Sequence, residues 1–252
     1  MGWMELTKRQ GKILNKIVEE YIASAEPVSS KLLEKKYDFG VCPATIRIEM
    51  QKLTDSGFIF QPHTSAGRVP TDKGYRFFVD SLFARQNFAE QNLGGFEKGF
   101  QKEKDILRME DLIDKEMGDT VKFLQSLTKN LASFSSNLAL GYIFGEDILW
   151  KEGWEEVLRE PEFQETNLIS DFTDVIQRFE NEIEDFKVNS GIKVYIGKEN
   201  PFSKTKEFSI IISGCHFPSN EKGVLAIAGP KRMAYDKNIN SLNSLTKLLE
   251  RL

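Results

Sequence analysis

Between Pro43 and Gly57, three apolar residues, Ile46, Met50 and Leu53, recur at i, i+4 and i+7, the spacing of one helix face. With those inward, rotation by about 100° per residue turns Ala44, Thr45, Ile48, Gln51, Lys52 and Asp55 outward and leaves Arg47 on the shoulder. Arg, Gln and Thr can hydrogen-bond base edges, and Lys and Arg reach phosphates. Taken alone, the same set describes an ordinary solvated face equally well. A second cluster follows. Thr64, Ser65, Gly67 and Arg68 form a small, polar, basic loop tip that lets backbone approach a phosphate or a minor groove while an Arg projects. His63 beside them is placed either to touch a phosphate or to pack as a ring. Lys73 and Arg76, one helical turn apart, extend the basic surface. The two clusters together point to nucleic acid.

Other chemistry finds little material. The chain has two histidines, His63 and His216, and two cysteines, Cys42 and Cys215, far apart in sequence. No CxxC, HExxH or His-triad pattern is present, so neither a metal nor a cofactor is expected. Nothing in their spacing demands that the cysteines pair, and two reduced thiols are the plain reading. Cys215 and His216 are adjacent, and neighbours on a strand point to opposite faces, so they make a poor catalytic pair. No nucleophile–base pair can be placed, and an enzyme is not expected. Gly229-Pro230 reads as a turn, Trp150 and Trp154 as packing residues, and the acidic run 180–185 as a solvated helix face.

The elements that must position the basic clusters are legible nearby. Thr7-Lys8-Arg9-Gln10 fits a capping box. Ile13, Ile17, Val18, Tyr21 and Ile22 then repeat at helical spacing, up to Ala25-Glu26-Pro27. Ser29 or Ser30 can cap a short second helix reaching about Tyr37. Pro43 suits the first position of the third helix, and Gly57 its left-handed end. Phe58–Gln61 reads as a strand, 62–70 as a loop with a return strand near Arg68-Val69, and Thr71 as the cap of a helix from Asp72 to about Phe83. Three helices and a β-ribbon predict a winged helix-turn-helix over residues 1–86, its third helix in the major groove.

Residues 87–104 are polar and Gly-punctuated, a predicted linker. From Ile106 a stripe continues through Met109, Ile113, Met117, Thr120, Leu124, Leu127, Leu131, Phe134 and Leu138, near coiled-coil period. Residues 87–136 are thus a helical linker and a candidate dimerisation segment, the alternative being packing within one chain. Beyond it, Asn137–Phe144, Ile192–Ile196, Phe208–Ser213 and Gly223–Ala228 read as strands, and Phe172–Phe186 and Asn240–Leu252 as amphipathic helices. That mixture predicts a small antiparallel α+β domain over 137–252.

Composition fits an ordinary globular chain, and the pattern of elements makes it α+β. The apolar fraction is 40%, and no window has the apolar length of a membrane helix. The charged N-terminal residues Glu5, Lys8, Arg9 and Lys12 do not resemble a signal peptide, so a soluble cytoplasmic protein is expected. The formal net charge of −4 seems to oppose DNA, but it is unevenly spread. Residues 1–86 hold 13 Lys/Arg against 10 Asp/Glu, and residues 87–252 hold 21 against 28. The positive part coincides with the predicted DNA-binding domain.

Several motifs resemble a known family. Leu6-Thr7-Lys8-Arg9-Gln10, Glu26-Pro27-Val28, Ala44-Thr45-Ile46-Arg47, Gln61-Pro62-His63-Thr64-Ser65-Ala66-Gly67-Arg68 and Pro70-Thr71-Asp72-Lys73-Gly74-Tyr75-Arg76 are similar to the heat-inducible transcription repressors called HrcA. So are Glu160-Pro161-Glu162-Phe163, Val194–Pro201 and Gly229–Tyr235, which resemble parts of that family's GAF-like domain. The resemblance implies a dimeric repressor that binds an inverted-repeat operator in double-stranded DNA upstream of chaperone genes. It also implies a GroEL-type chaperonin as partner, and release under heat stress. A small-molecule-sensing GAF-type regulator is the alternative.

Two departures stand out. The chain is shorter than the family, with residues lacking between about Leu138 and Leu149, where GAF-like strands and an inserted dimerisation domain are expected. The third helix usually reads Ser-Pro-Ala-Thr-Ile-Arg-Asn, but here Cys42 stands at the Ser and Ile48 at the Asn. An Asn could contact adenine bidentately, whereas Ile can only touch a thymine methyl, so operator preference is expected to differ.

Overall fold

The computed structural model describes residues 6–93, 119–184, 191–217 and 221–250. It divides into two compact units, Met1–Phe88 and Ala89–Leu252. In the first, helix α1 (Lys8–Ser24) starts on the capping box: Gln10 N donates to Thr7 Oγ1 at 3.2 Å, and Thr7 N to Gln10 Oε1 at 3.0 Å. It ends where Ala25 turns left-handed, at φ 57°. Helix α2 (Ser30–Lys36) is capped by Ser29, whose hydroxyl accepts from Leu32 N. Helix α3 (Pro43–Asp55) begins with Pro43 in its first turn, and Gly57 follows it at φ 73°. Cys42, at the N-cap, makes no side-chain capping bond. A buried core joins the three: Ile13, Leu14, Ile17 and Val18 of α1, Leu33 of α2, and Ile46, Met50 and Leu53 of α3.

Strands β1 (Ile59–Phe60) and β2 (Val69–Pro70) pair antiparallel, Ile59 opposite Pro70 and Phe60 opposite Val69. Helix α4 (Asp72–Leu93) follows, with the Thr71 hydroxyl accepting from Gly74 N, and buries Tyr75, Phe78, Val79 and Leu82. It runs ten residues past the Phe83 expected, so residues 87–93 of the predicted helical linker continue this helix.

The second unit is built on a five-stranded antiparallel sheet: β3 (Leu138–Ile143), β4 (Ile148–Glu152), β5 (Gly191–Ile196), β6 (Phe208–Phe217) and β7 (Glu221–Pro230), in the order β4-β3-β7-β6-β5. Helix α5 (Thr120–Ser135) lies on one face. A short helix α6 (Trp154–Val157) leads to α7 (Thr166–Glu182), which covers the other face. Helix α8 (Tyr235–Leu249) packs against β6 and α5. Leu138 and Leu140 of β3, Ile210 and Ile212 of β6, and Val224 and Ala226 of β7 share the α7 face with Phe172, Val175 and Phe179. Helices on both faces explain why β3 is buried at every position instead of alternating.

Several differences from the sequence reading have local causes. Within the stripe, Ile106, Met109, Ile113 and Met117 lie outside the described residues. Its second half does form a helix, and Leu124, Leu127 and Leu131 are buried and pack onto the sheet of the same chain. Ser136, left-handed at φ 56°, ends that helix, so Leu138 belongs to β3. Strand β4 was not expected; its residues are all half-buried and show no apolar/polar alternation. Helices α7 and α8 begin six and five residues before the expected Phe172 and Asn240, neither with a side-chain cap. Phe186 and Leu252 lie outside the described residues.

Candidate nucleic-acid interface

Helix α3 carries the first predicted cluster. Its inner side is fixed by Ile46, Met50 and Leu53, and also by Glu49, which is only 8% exposed. Glu49 Oε2 accepts from Gln10 Nε2 at 2.9 Å, so one glutamine closes the α1 capping box and ties α1 to α3. Arg9 and Lys52 approach the same carboxylate, at 4.0 and 3.5 Å. Ala44, Arg47, Ile48, Gln51 and Lys52 are exposed on the outer side, and Thr45 is half-buried.

Partners hold several of these side chains. Arg47 Nε donates to Ser30 Oγ at 3.4 Å, linking α3 to the start of α2. Gln51 Nε2 donates to Asp55 Oδ1 at 2.8 Å, and Gln51 Oε1 accepts from Arg68 at 3.5 Å. At the head of the helix Cys42 is exposed, its Sγ 3.3 Å from Thr45 Oγ1. The Thr45 hydroxyl and the Thr45 and Ala44 amides hold its thiol below the usual range.

The ribbon is brought to α3 by Arg68. Its Nε donates to Thr54 Oγ1 at 3.1 Å, and a terminal nitrogen reaches Gln51. The predicted tip residues divide between two jobs. His63, Thr64 and Ser65 are exposed, with His63 Nδ1 3.2 Å from Ser65 Oγ; the ring does not pack. Gln61 folds the turn by donating to the carbonyls of Thr64 and Ala66, both at 2.9 Å. Gly67 instead faces inward: a Cβ there would lie 2.5 Å from the Pro27 carbonyl oxygen. Its absence lets the ribbon bridge to Val28, whose amide donates to Arg68 O at 2.9 Å and whose carbonyl accepts from Arg68 N at 2.8 Å.

Lys73 and Arg76 are tied more locally. Lys73 donates to Ser56 O at 2.9 Å, its ammonium 4.1 Å from the Phe58 ring centroid, and Arg76 pairs with Asp80 at 3.5 Å. Lys73 therefore fastens α4 to the end of α3. The positioning residues Ser30, Thr54 and Gln61 carry no charge, and their partners lie across turns, which is why sequence spacing did not single them out.

Elsewhere, Cys215 is buried and His216 exposed, on opposite faces of β6 as adjacent strand residues must be. Burial, and the nearby Glu250, push the Cys215 thiol up to about 12. Among the described residues no His/Cys/Asp/Glu group is arranged to hold a metal ion, and no helix is long and apolar enough to cross a membrane.

Comparison with known proteins adds a second line. The family model described as the HrcA protein C terminal domain matches residues 85–239, well over half of the chain. A heat-inducible transcription repressor HrcA from Thermodesulfovibrio yellowstonii is 28% identical, with 98% of this chain and 97% of the relative covered. One from Thermoanaerobacter sp. strain X514 is also 28% identical, covering 99% and 97%. The first alignment spans 343 positions against 252 residues, so at least 91 positions of that relative have no counterpart here. A solved structure described as a hypothetical protein at 2.2 Å resolution is 21% identical, covers 98% of both chains, and superposes with a TM-score of 0.77, a likeness of fold.

Proposed function

The chain belongs to the HrcA family of heat-inducible transcription repressors, and from that premise we propose that it represses transcription by binding an inverted-repeat operator as a homodimer in the cytoplasm. Residues 1–88 serve as a winged helix-turn-helix. Helix α3 enters the major groove, and the ribbon from Ile59 to Pro70 is the wing beside it. The observation that carries this reading is the outer side of α3. Ala44, Arg47, Ile48, Gln51 and Lys52 stand exposed there, and Arg68 ties the ribbon to the same helix through Thr54 and Gln51.

Arg47 and Lys52 supply phosphate or base-edge contacts, with His63, Thr64 and Ser65 at the wing tip. Gly67 and Arg68 position the wing. The second unit is a shortened GAF-like domain, through which heat stress and a GroEL-type chaperonin control the repressor. A titration of the full chain on an inverted-repeat duplex at several salt concentrations tests the reading. Two chains bring four α3 cations, so the slope of log K against log[salt] should be about −3.6 or steeper. Arg47→Ala should weaken binding by about 1–3 kcal/mol. A salt-insensitive complex, or no complex, would refute it.

A further inference from the structure

The outward face of α3 is apolar at its centre. Ile48 is 56% exposed, more than any other large hydrophobic side chain among the described residues. Ala44, one turn earlier, is exposed, and the half-buried Thr45 adds a methyl group beside it. The polar side chains around this patch already have partners. Gln51 is held by Asp55 and Arg68, Lys52 faces Glu49, and Arg47 Nε donates to Ser30. The rim of the helix is polar and held in place, whereas its centre offers only methyl groups.

In the major groove one base presents an apolar group on its edge, the 5-methyl of thymine. We propose that Ile48 is a specificity-determining residue that packs, with Ala44 and the Thr45 methyl, against thymine methyls of the operator half-site. This rests on the DNA-binding reading above. Ile48 brings no donor or acceptor, so contact with a methyl removes apolar surface from water on both sides and breaks no hydrogen bond of the protein. Guanine or cytosine at the same position would set O6 and N7, or the N4 amino group, against the Ile side chain without a partner, which is unfavourable. Selection for thymine therefore has an attractive and a repulsive part.

The test uses the full chain and duplexes that the wild-type protein itself selects from a random pool. Each thymine of a half-site is replaced in turn by uracil, which removes only the methyl. At the positions Ile48 contacts, binding should weaken about fourfold per methyl, the equivalent of about 0.8 kcal/mol. Ile48→Ala should bring the thymine-to-uracil ratio close to one, and Ile48→Asn should shift the selected base toward adenine. Equal binding of thymine and uracil duplexes at every position would overturn the proposal while leaving DNA binding intact. A ratio that persists in Ile48→Ala would overturn the assignment to Ile48. Binding to no duplex at all would overturn the DNA-binding reading and this proposal with it. The uracil arm needs no variant, so it does not depend on the variants' folding.

Discussion

Gly67→Ala tests how the wing is anchored. The added Cβ would lie 2.5 Å from the Pro27 carbonyl oxygen and 2.5 Å from the Val28 carbonyl carbon, both rigid backbone atoms. Ordinary contact begins at 3.4 Å, so the ribbon must withdraw by about 0.9 Å. That motion carries the two bonds between Val28 and Arg68, now 2.9 and 2.8 Å, beyond hydrogen-bonding range. Two lost backbone bonds cost about 1 kcal/mol each, and the forced repacking about 1–3 kcal/mol. Against this, the reduced freedom of the unfolded chain returns about 0.4–1 kcal/mol. The net expectation is a loss of about 2–5 kcal/mol, felt first in the wing. Hydrogen exchange on the full chain reads it directly: the amides of Val28 and Arg68 should lose protection, while those of the β6–β7 pair keep it. Unchanged protection at Val28 and Arg68, with a stability gain of the kind Gly→Ala gives at unhindered sites, would refute the reasoning.

Three further outcomes follow from the same structure. Arg232 is 10% exposed and holds Glu162 through two bonds, of 2.7 and 3.1 Å, and Glu160 at 2.5 Å. Arg232→Met should cost about 3 kcal/mol in urea unfolding followed by Trp150 and Trp154 fluorescence, because Glu160 and Glu162 lose the cation they share; a loss under about 1 kcal/mol would contradict this. Burial raises the Glu20 carboxyl, but hydrogen bonds from Lys36 and Tyr37 and the Lys36 and Lys16 charges outweigh it and hold the group below 4.5. A depressed carboxylate contributes stability that is present above the unfolded value and lost as pH falls through the folded one. Acid unfolding below about pH 4.5 should therefore be shallower in Glu20→Gln than in the parent, and parallel curves would count against the cluster. Iodoacetamide on the native chain should label Cys42, which is exposed and held low, and spare Cys215 until the chain unfolds; equal labelling would contradict the burial of β6.

What was legible beforehand was local. The Thr7–Gln10 box, Pro43 at the start of α3 and the left-handed Gly57 depend on neighbours within one turn, so residue type and spacing suffice. The outward set on α3 follows from periodicity alone, and Ala44, Arg47, Ile48, Gln51 and Lys52 are indeed exposed. The illegible part depends on distant contacts. Gly67 looked like a residue for approaching DNA, but its constraint comes from Pro27 and Val28, some 40 positions earlier. Lys73 reads as part of a basic surface, and its bond to Ser56 O lies beyond what spacing can show. Strand β4 hides because its side chains are half-covered on both faces. The stripe reads on into Leu138 because periodicity does not register the left-handed Ser136. The pairing of Glu160-Pro161-Glu162 with Arg232 could not be read from spacing, yet it ties two family-like motifs 70 residues apart.

Sedimentation of the full chain with and without a selected inverted-repeat duplex tests the central claim most directly. The account predicts a complex of two chains per duplex that dissociates as salt rises and is weakened by Arg47→Ala. A chain that sediments apart from the duplex at low salt, or one that binds it as a single copy, would contradict it.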